Sequence, residues 1–251
     1  MSSRPSPRNL TVLARKRLTP SMQRVTLGGP GLSDFPAEQE GGYLKLFLGE
    51  DANGKRIVRT YTIRHQREGE LDIDFALHGG AAAGPATAWS LSVEPGSSIP
   101  VGGPGPAKPL PPGHDFYLVA GDMTALPAIS VNLVALSNDA RGVAVIEIQN
   151  DADQVELDKP EGIEVRWLVN REPGSQPALL SDELRRIALP QGKLAGWAAC
   201  EFSAMRNLRA LLRDELGLRG DSLYISSYWK AGLIEDEHKR VKREDAETQT
   251  V

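Results

Sequence analysis

The stretch LDIDFALH, residues 71–78, decides the interpretation of the first half of the chain. Large apolar side chains at the odd positions alternate with polar or small side chains at the even positions. An alternation with a period of two residues is typical of a strand that buries one of its faces. The stretch therefore predicts a half-buried β-strand.

Strands of the same kind surround this stretch. They are short, rich in Val, Ile, Leu, Tyr and Thr, and bounded by Gly, Pro, Asp or Asn. Several such strands at close spacing favour a small antiparallel β-barrel, which one helix near residues 85–92 interrupts. The predicted strands cover residues 9–18, 21–28, 43–49, 56–64 and 71–78.

The second half of the chain has a different rhythm. Its strands are apolar throughout and alternate with helical patterns, which is typical of βαβ units. This half therefore predicts an α/β domain with a parallel sheet, an architecture that binds nucleotides. The predicted strands cover residues 116–120, 142–149, 164–169, 194–200 and 223–228, and the predicted helices lie near 126–137, 177–188 and 203–216.

Gly and Pro are concentrated between residues 94 and 114. Because both residues weaken strands, this segment is predicted to be mostly loop and linker. The apparent fingerprint GGPG at residues 102–105 opens no helix and is interpreted as part of that linker. The predicted domains are residues 1–108, the barrel, and residues 109–251, the α/β domain.

The tail IEDEHKRVKREDAE, residues 234–247, has the composition of a charged helix. Glu235 precedes Lys239, and Asp236 precedes Arg240, each by four residues, which is the favourable order for helical ion pairs. Acids nearly cancel the basic core KRVKR at 239–243. The tail is therefore predicted to be a solvated helical face rather than a nucleic-acid patch.

Charge and cysteine content exclude several classes of protein. The 251 residues carry a net charge of -4, so no global basic field attracts nucleic acid or an anionic membrane. No stretch approaches a membrane span, and the first residues lack an apolar signal segment, so we expect a cytoplasmic protein without membrane insertion. Cys200 stands alone in an apolar run, which predicts a buried structural thiol. Four scattered histidines predict no bound metal.

The hexapeptide RTYTIR, residues 59–64, carries the first candidate site. Arg59 offers a planar fork suited to a pyrophosphate, and Tyr61 offers a flat ring suited to a flavin. Thr62 adds a hydroxyl suited to a ring nitrogen. The same composition is also ordinary for a β-strand, so the motif alone leaves both interpretations open.

The segment GPATAW, residues 84–89, carries the second candidate site. Gly84 suits the N-cap of a helix and Pro85 its first turn. The free backbone N–H groups of that turn, with Thr87 nearby, are suited to an anion such as the same pyrophosphate. An ordinary capped helix is the alternative.

The turn GDMT, residues 121–124, carries the third candidate site. It follows a buried strand and precedes a helix, which is the usual place of a nucleotide phosphate loop. Asp122 is a poor neighbour for a phosphate, however. A structural turn between strand and helix is therefore the alternative.

Taken in order, these motifs resemble the siderophore-interacting protein family, ferric-chelate reductases of the ferredoxin-reductase-like superfamily. The resemblance covers most of the chain. The segments that carry it are RTYTIR (59–64), DFALHGG (74–80), GPATAW (84–89), PVGGPGP (100–106), YLVAGDMTALPAI (117–129), WLVNR (167–171), WAACEFSAMRNLR (197–209) and YWKAGLIEDEHK (228–239).

The resemblance implies FAD bound to the barrel. Arg59 would hold the FAD pyrophosphate, Tyr61 would pack on the isoalloxazine, and Thr62 would bond toward its N5 atom. Such contacts position and tune the flavin, which supplies the redox chemistry itself. The other implied FAD contacts are His78, which would line the site, and Gly84, Ala86 and Thr87, which would cap the phosphates.

The resemblance implies nicotinamide binding in the second domain. Lys230 is the lead candidate for contacting an anionic ferric chelate, and Arg64 is the second candidate. Core packing of the aromatic residues and solvent exposure of the basic ones are the alternatives. The implied cofactor contacts are Gly121, Asp122 and Thr124 in the turn, Glu201 with Arg206 and Arg209 after the next strand, and Tyr228 and Trp229 against the flavin.

These assignments imply an FAD-dependent ferric-siderophore reductase with NAD(P)H as electron donor. No protein acid or base is required, so no catalytic side chain is assigned. Asp151 favours NADH, because a carboxylate accepts a hydrogen bond from a 2′-hydroxyl and repels a 2′-phosphate. A ferredoxin is an alternative donor. The alternative functions are a flavin reductase of this fold with a ferredoxin-linked, quinone or free-flavin acceptor, and a non-catalytic siderophore-binding protein.

Overall fold

The computed structural model describes residues 7–78, 84–233 and 235–248. The described residues form two compact units that divide between Lys108 and Pro109. Each unit has its own hydrophobic core.

The first unit is a closed six-stranded antiparallel barrel with the strand order β1-β2-β5-β4-β3-β6. A short helix, α1, packs against β2, β3 and β5. The predicted barrel, its five strands and its helix are therefore confirmed. The elements are β1 Arg8–Thr19, β2 Met22–Gly28, β3 Tyr43–Glu50, β4 Arg56–Arg67, β5 Glu70–Ala76, α1 Pro85–Ser92 and β6 Ser98–Gly105.

Strand β5 shows why the barrel forms, and it differs from the prediction in one respect. Ile73 and Phe75 are fully buried in the core, as their alternation predicts. The opposite face was expected to be solvated, yet Asp72 and Asp74 are also buried. Arg24 Nε lies 2.6 Å from Asp74 Oδ1, and an Arg67 nitrogen lies 2.7 Å from Asp72 Oδ2. Ion pairing therefore compensates the loss of hydration of these two acids.

The prediction of a linker over residues 94–114 was wrong in part, because strand β6 closes the barrel there. It pairs with β1 on one side and β3 on the other. Its glycines make room for rings of β3: a Cβ atom on Gly105 would lie 2.0 Å from Tyr43 Cζ. Close packing against side chains thus explains a glycine-rich strand that composition alone indicates as loop.

The second unit is a five-stranded parallel sheet with the order β11-β10-β7-β8-β9. The predicted α/β architecture is confirmed. The predicted helix near 203–216 is a shorter α-helix, α4, followed by a π-helical turn at Ala210–Glu215. The elements are β7 Phe116–Gly121, α2 Leu126–Val134, β8 Gly142–Ile148, β9 Ile163–Val169, α3 Leu179–Arg185, β10 Leu194–Glu201, α4 Phe202–Arg209, β11 Leu223–Trp229 and α5 Glu235–Thr248.

The strand order creates a topological switch point between β7 and β10. From the central β7 the chain continues to β8 and β9 on one side, then crosses over to β10 and β11 on the other. In open α/β sheets, ligands bind outside the carboxyl ends of the strands at such a point. The residues at the ends of β7 and β10 therefore define where a nucleotide site is expected in this unit.

The tail forms helix α5, but the prediction that it is only a solvated face was wrong. His238 is 5% exposed, and its Nε2 atom lies 2.8 Å from Ser227 Oγ of β11. Lys242 Nζ donates to Ser226 Oγ at 2.6 Å, and Asp245 accepts two hydrogen bonds from Arg209. The helix is therefore docked on β11 and α4. The side chains of residues 235 and 236, predicted to form ion pairs, lie outside the described residues.

Two further expectations bear on the whole chain. Cys200 is fully buried, which confirms the structural thiol, and burial raises its pKa well above the usual value. Within residues 7–78, 84–233 and 235–248, no helix is both long and apolar enough to cross a membrane.

Candidate functional site

The register of β4 determines which residues of the RTYTIR motif share a face. Arg59 lies opposite Leu46, and Tyr61 lies opposite Leu44. Both leucines are fully buried in the barrel core, so Arg59 and Tyr61 belong to the inner face of the wall. Thr62 pairs with Tyr43 and points to the other face. The structure therefore brings the first two motif residues together and separates the third from them.

The ring of Tyr61 is held in an aromatic cluster. Its centroid lies 4.3 Å from that of Phe75, which in turn lies 5.6 Å from that of Trp89 on α1. Phe75 is fully buried, whereas Tyr61 and Trp89 are half-buried. Strand β4 and helix α1 are thus fixed to each other through one set of rings, which orients the partly exposed face of Tyr61.

The start of α1 is suited to an anion. Gly84 is the N-cap, Pro85 follows it, and no side chain caps the helix. The N–H groups of Ala86 and Thr87 have no partner within the helix, because the first hydrogen bond runs from Ala88 N to Gly84 O. A Cβ atom on Gly84 would meet no described atom within 4 Å. No described atom therefore lies against the Cα of Gly84 at the helix start.

These features fit an FAD molecule. A half-buried guanidinium at Arg59 and the N–H groups in the first turn of α1, which have no partner within the helix, match the charge of a pyrophosphate. Ala86 and Thr87 themselves are 5% and 4% exposed. The half-buried ring of Tyr61 matches a flat isoalloxazine. His78 is exposed at the end of β5, and the glycines that follow it lie outside the described residues. Arg64 lies beside His65, with an Arg64 nitrogen 3.3 Å from His65 Nδ1.

In the second unit, Asp122 lies at the switch point and is saturated with hydrogen bonds. Its Oδ1 accepts from Thr124 N at 2.9 Å and from Thr124 Oγ1 at 2.5 Å. Its Oδ2 accepts from Glu201 N at 2.8 Å and from Trp229 Nε1 at 2.7 Å. This single carboxylate therefore joins the carboxyl ends of β7, β10 and β11. Burial raises the pKa of Asp122, and the donated hydrogen bonds oppose that shift.

Gly121 makes this arrangement sterically feasible. A Cβ atom there would lie 2.8 Å from Ala199 O and 2.9 Å from Ala125 Cβ. Close approach of the neighbouring strand and of the turn before α2 therefore requires glycine. The predicted loop residues Gly121, Asp122 and Thr124 do lie together, but the hydrogen bonds of the two polar side chains are directed toward each other and into the sheet edge.

Glu201 is a buried cap of helix α4. Its Oε2 accepts hydrogen bonds from Ser203 N and Ala204 N, and its Oε1 accepts one from Ala231 N at 3.2 Å. The residue is 4% exposed. Arg209, which follows on the same helix, is paired with Asp245, and Arg206 Nε lies 3.8 Å from that acid. Glu201 therefore organises the sheet edge locally.

Sequence reasoning missed Glu147 and Asn170 at the same edge. Glu147 is 7% exposed and accepts a hydrogen bond from Asn170 Nδ2 at 2.9 Å. Burial and the nearby Asp122 carboxylate raise the pKa of Glu147 to about 7. Asn170 Oδ1 in turn accepts from Ser175 Oγ and Gln176 Nε2. An acid in an otherwise apolar strand, GVAVIEI, was the signal in the sequence.

The end of β11 places Tyr228 and Trp229 in different surroundings. Trp229 is half-buried, and its indole nitrogen is bonded to Asp122. Burial and a hydrogen bond with Tyr224 raise the pKa of the Tyr228 phenol well above its usual value. The pairing of β11 with β10 is irregular here, because Cys200 pairs with Ser227 and the next residue, Glu201, pairs with Trp229, so Tyr228 is the extra residue of a bulge.

Lys230 and Asp151 were predicted to contact the chelate and the donor. Lys230 is half-buried, and its Nζ lies 4.3 Å from the centre of the Phe202 ring, a cation–π geometry. Asp151 is exposed in a 3₁₀ turn just after β8, at the carboxyl edge of the sheet. Across the described part of the chain, no group of three or more His, Cys, Asp or Glu side chains is arranged to hold a metal ion.

Comparison with known proteins identifies the family. A sequence profile for the siderophore-interacting FAD-binding domain matches residues 11–56 and 50–108, and one for siderophore-interacting protein matches residues 114–232. The ferric vibriobactin reductase ViuB of Vibrio cholerae is 32% identical over 251 residues, covering 92% of each chain. The chain belongs to the siderophore-interacting protein family. The resemblance stated from the motifs is thus confirmed.

Solved structures of siderophore-interacting proteins agree with the fold. SipS from Aeromonas hydrophila is 31% identical, with a TM-score of 0.84 over 96% of this chain and 98% of that one. A siderophore utilization protein from T. fusca is 30% identical, with a TM-score of 0.81 over 94% and 99% of the two chains. The barrel and the parallel sheet described above are therefore those of this family.

Proposed function

We propose that this protein is an FAD-dependent ferric-siderophore reductase that takes electrons from NAD(P)H. The observation that carries the proposal is the likeness to a ferric vibriobactin reductase over 92% of both chains. The sequence profile that matches the barrel is that of an FAD-binding domain, which supports FAD as the cofactor. An oxidoreductase of this kind reduces the metal of its substrate, so iron is the cargo and not a resident ion.

The barrel binds and orients the cofactor in this proposal. Arg59 offers a charge-assisted contact to the pyrophosphate, and the N–H groups of Ala86 and Thr87 add two neutral ones. Tyr61, fixed by Phe75, supplies the surface for the flavin ring. Bound here, FAD would supply the redox chemistry, namely two-electron acceptance from the nicotinamide and one-electron transfer to each of two Fe(III) ions. Reduction of Fe(III) to Fe(II) takes up an electron and no proton, so no side chain is assigned as an acid or a base.

Reduction releases the metal because Fe(II) is a softer cation than Fe(III) and is held less well by hard oxygen ligands. An anionic chelate meets a protein with a net charge of -4, so a local cation must offset the repulsion. Lys230, the proposed contact, has an ammonium group that lies over an aromatic ring at the end of β11. Arg64 is the second proposed contact. We place the reaction in the cytoplasm, where NAD(P)H is available.

An acceptor comparison tests this function. The purified protein is given NADH or NADPH and, in parallel, a ferric siderophore, a quinone, free flavin and a ferredoxin. Trapping Fe(II) with a chromogenic chelator should show two Fe(II) formed per NAD(P)H, because a hydride carries two electrons. Faster turnover with a quinone, a ferredoxin or free flavin would show that this protein reduces an acceptor other than a ferric siderophore. Siderophore binding without reduction of any acceptor would indicate a carrier.

A further inference from the structure

At the switch point of the second unit, the Asp122 side chain already accepts hydrogen bonds from two backbone N–H groups. In this fold class a nucleotide phosphate usually meets the N–H groups after the first strand. Here the Asp122 carboxylate bonds the N–H of Thr124 in that turn and the N–H of Glu201 across the switch point. A donor phosphate would have to displace a buried carboxylate that already accepts four hydrogen bonds.

The acidic side chains near Asp122 also disfavour a phosphate at this position. Glu147 and Glu201 are buried at the same edge, 7% and 4% exposed. Together with burial, the charges of Asp122 and Glu201 raise the pKa of Glu147 to about 7, so the three carboxyl groups act on one another at this edge. A phosphate placed here would add negative charge beside the buried Asp122 and Glu201 carboxylates, where charges are poorly screened. The hydrogen bonds and the charge of Asp122 thus argue against the 121–124 turn as the binding site for the donor phosphates.

The Trp229 indole is fixed on two sides at this point. Its Nε1 atom donates to Asp122, and the loop after β9 lies against the far end of the ring. A Cβ atom on Gly174 would lie 3.3 Å from Trp229 Cη2. That loop is itself tied to the sheet, because Asn170 bonds Glu147 and Ser175. The indole is thus a rigid, half-buried aromatic surface at the carboxyl edge.

We propose that Asp122 is a positioning residue, whose carboxylate fixes the Trp229 indole as the surface on which the nicotinamide ring of the electron donor packs. This inference rests on the proposed function, because it assumes a nicotinamide donor. It changes the role of Asp122 from a phosphate neighbour to the support of an aromatic contact. A flat indole suits stacking of the nicotinamide ring, and its electron-rich face favours in particular the electron-poor ring of the oxidised product, NAD⁺.

A double-mutant cycle tests the inference. NAD⁺ binding to the FAD-loaded protein is measured by calorimetry for Asp122→Asn, Trp229→Phe and the double variant. The Asp122 carboxylate accepts from two pairs of donors, one in Thr124 and one formed by Glu201 and Trp229. An Asn side chain would direct its N–H₂ group toward one of these pairs, so it cannot accept hydrogen bonds from both pairs. Each single change should weaken NAD⁺ binding by about three- to tenfold, and the double variant should bind no worse than the weaker single one. Effects that multiply would show independent roles and overturn the inference.

A matched control and a wild-type measurement keep the test decisive. Trp167→Phe makes the same change at another half-buried tryptophan of the sheet, and it should bind NAD⁺ as the wild type does. In the wild type, the indole N–H resonance that Trp229→Phe removes should exchange slowly with solvent and shift when NAD⁺ is added. This measurement serves even if Asp122→Asn does not fold. A rapidly exchanging resonance that ignores NAD⁺ would contradict the inference.

Failure of the inference differs from failure of the proposed function. If Trp229→Phe binds NAD⁺ normally while the wild-type flavin is reduced by NADH, only the role of Asp122 and Trp229 is refuted. If the wild type binds no NAD⁺ and its flavin is not reduced by either nicotinamide, the nicotinamide donor itself is refuted.

Discussion

Among single residues, Arg59 is the residue proposed to hold the FAD pyrophosphate. Arg59→Ala removes a charge-assisted phosphate contact, which is worth roughly 1.5–3 kcal/mol. FAD should therefore bind at least about tenfold more weakly. The ratio of flavin absorbance to protein in the purified variant measures this. Arg17→Ala, at an exposed arginine of β1, serves as the control, and full flavin occupancy in Arg59→Ala would refute the assignment.

Lys230 is the residue proposed to meet the ferric chelate. Lys230→Ala should raise KM for an anionic chelate, and the salt dependence of that KM should become weaker, because a local attraction has been lost. Reduction of the bound flavin by NAD(P)H should stay unchanged. Lys16→Ala makes the same change in net charge on exposed β1. Wild-type KM and salt response in Lys230→Ala would exclude this residue as the docking contact.

The sequence predicted some of these residues and not others for a physical reason. The candidates in RTYTIR and GPATAW were visible because each motif is local, with neighbours in sequence that act together. Asp122 was recognised as an odd neighbour for a phosphate, but its partners Glu201 and Trp229 lie 79 and 107 residues away. Glu147 and His238 were missed because their burial arises from contacts between distant elements. A one-dimensional pattern does not contain such contacts.

At the scale of elements, apolar alternation in residues 71–78 and strand-like composition elsewhere predicted five barrel strands, and continuous apolar runs predicted the five strands of the parallel sheet. Strand β6 was missed because glycine and proline outweighed its pairing with β1 and β3. Helix α5 was predicted as a helix, yet its docking was not, because charged side chains such as Lys242 and Asp245 find partners on β11 and α4. The type of a residue predicts the exposure of its side chain only on average.

Strand β8 and helix α5 should give opposite pH dependences of stability. Glu147 has a pKa of about 7 in the folded protein against about 4.5 when unfolded. The folded state thus holds more protons between these values, and stability falls as pH rises through this window. His238 has a folded pKa of about 4, lowered by burial, so its contribution to stability rises between about 4 and 6.5.

Two variants separate these contributions. The free energy of unfolding from urea titrations is measured between pH 4.5 and 8 for the wild type, Glu147→Gln and His238→Gln. The difference in the free energy of unfolding between the wild type and Glu147→Gln should decrease across this pH range by on the order of 3 kcal/mol. The wild type minus His238→Gln should instead rise up to about pH 6.5. A flat difference for Glu147→Gln would show that this acid ionises normally in the folded protein.

At the scale of the whole molecule, we predict the choice of donor from the acidic residues at the carboxyl edge of the sheet. Exposed Asp151 and the buried acids at the switch point all disfavour the extra phosphate of NADPH. We expect a higher kcat/KM with NADH than with NADPH, and Asp151→Asn should reduce that preference by about tenfold at most. Asp158→Asn, at an exposed acid in the loop that follows, is the control. A wild-type preference for NADPH would contradict this prediction.

Anaerobic spectroscopy of the purified protein tests the central claim most directly. The protein should be yellow from bound FAD, and one equivalent of NADH or NADPH should bleach the visible absorption band of the oxidised flavin. Addition of a ferric siderophore should then restore the band, with Fe(II) appearing at two equivalents per flavin. A colourless protein, or a bleached flavin that the ferric siderophore leaves reduced, would contradict the assignment as a ferric-siderophore reductase.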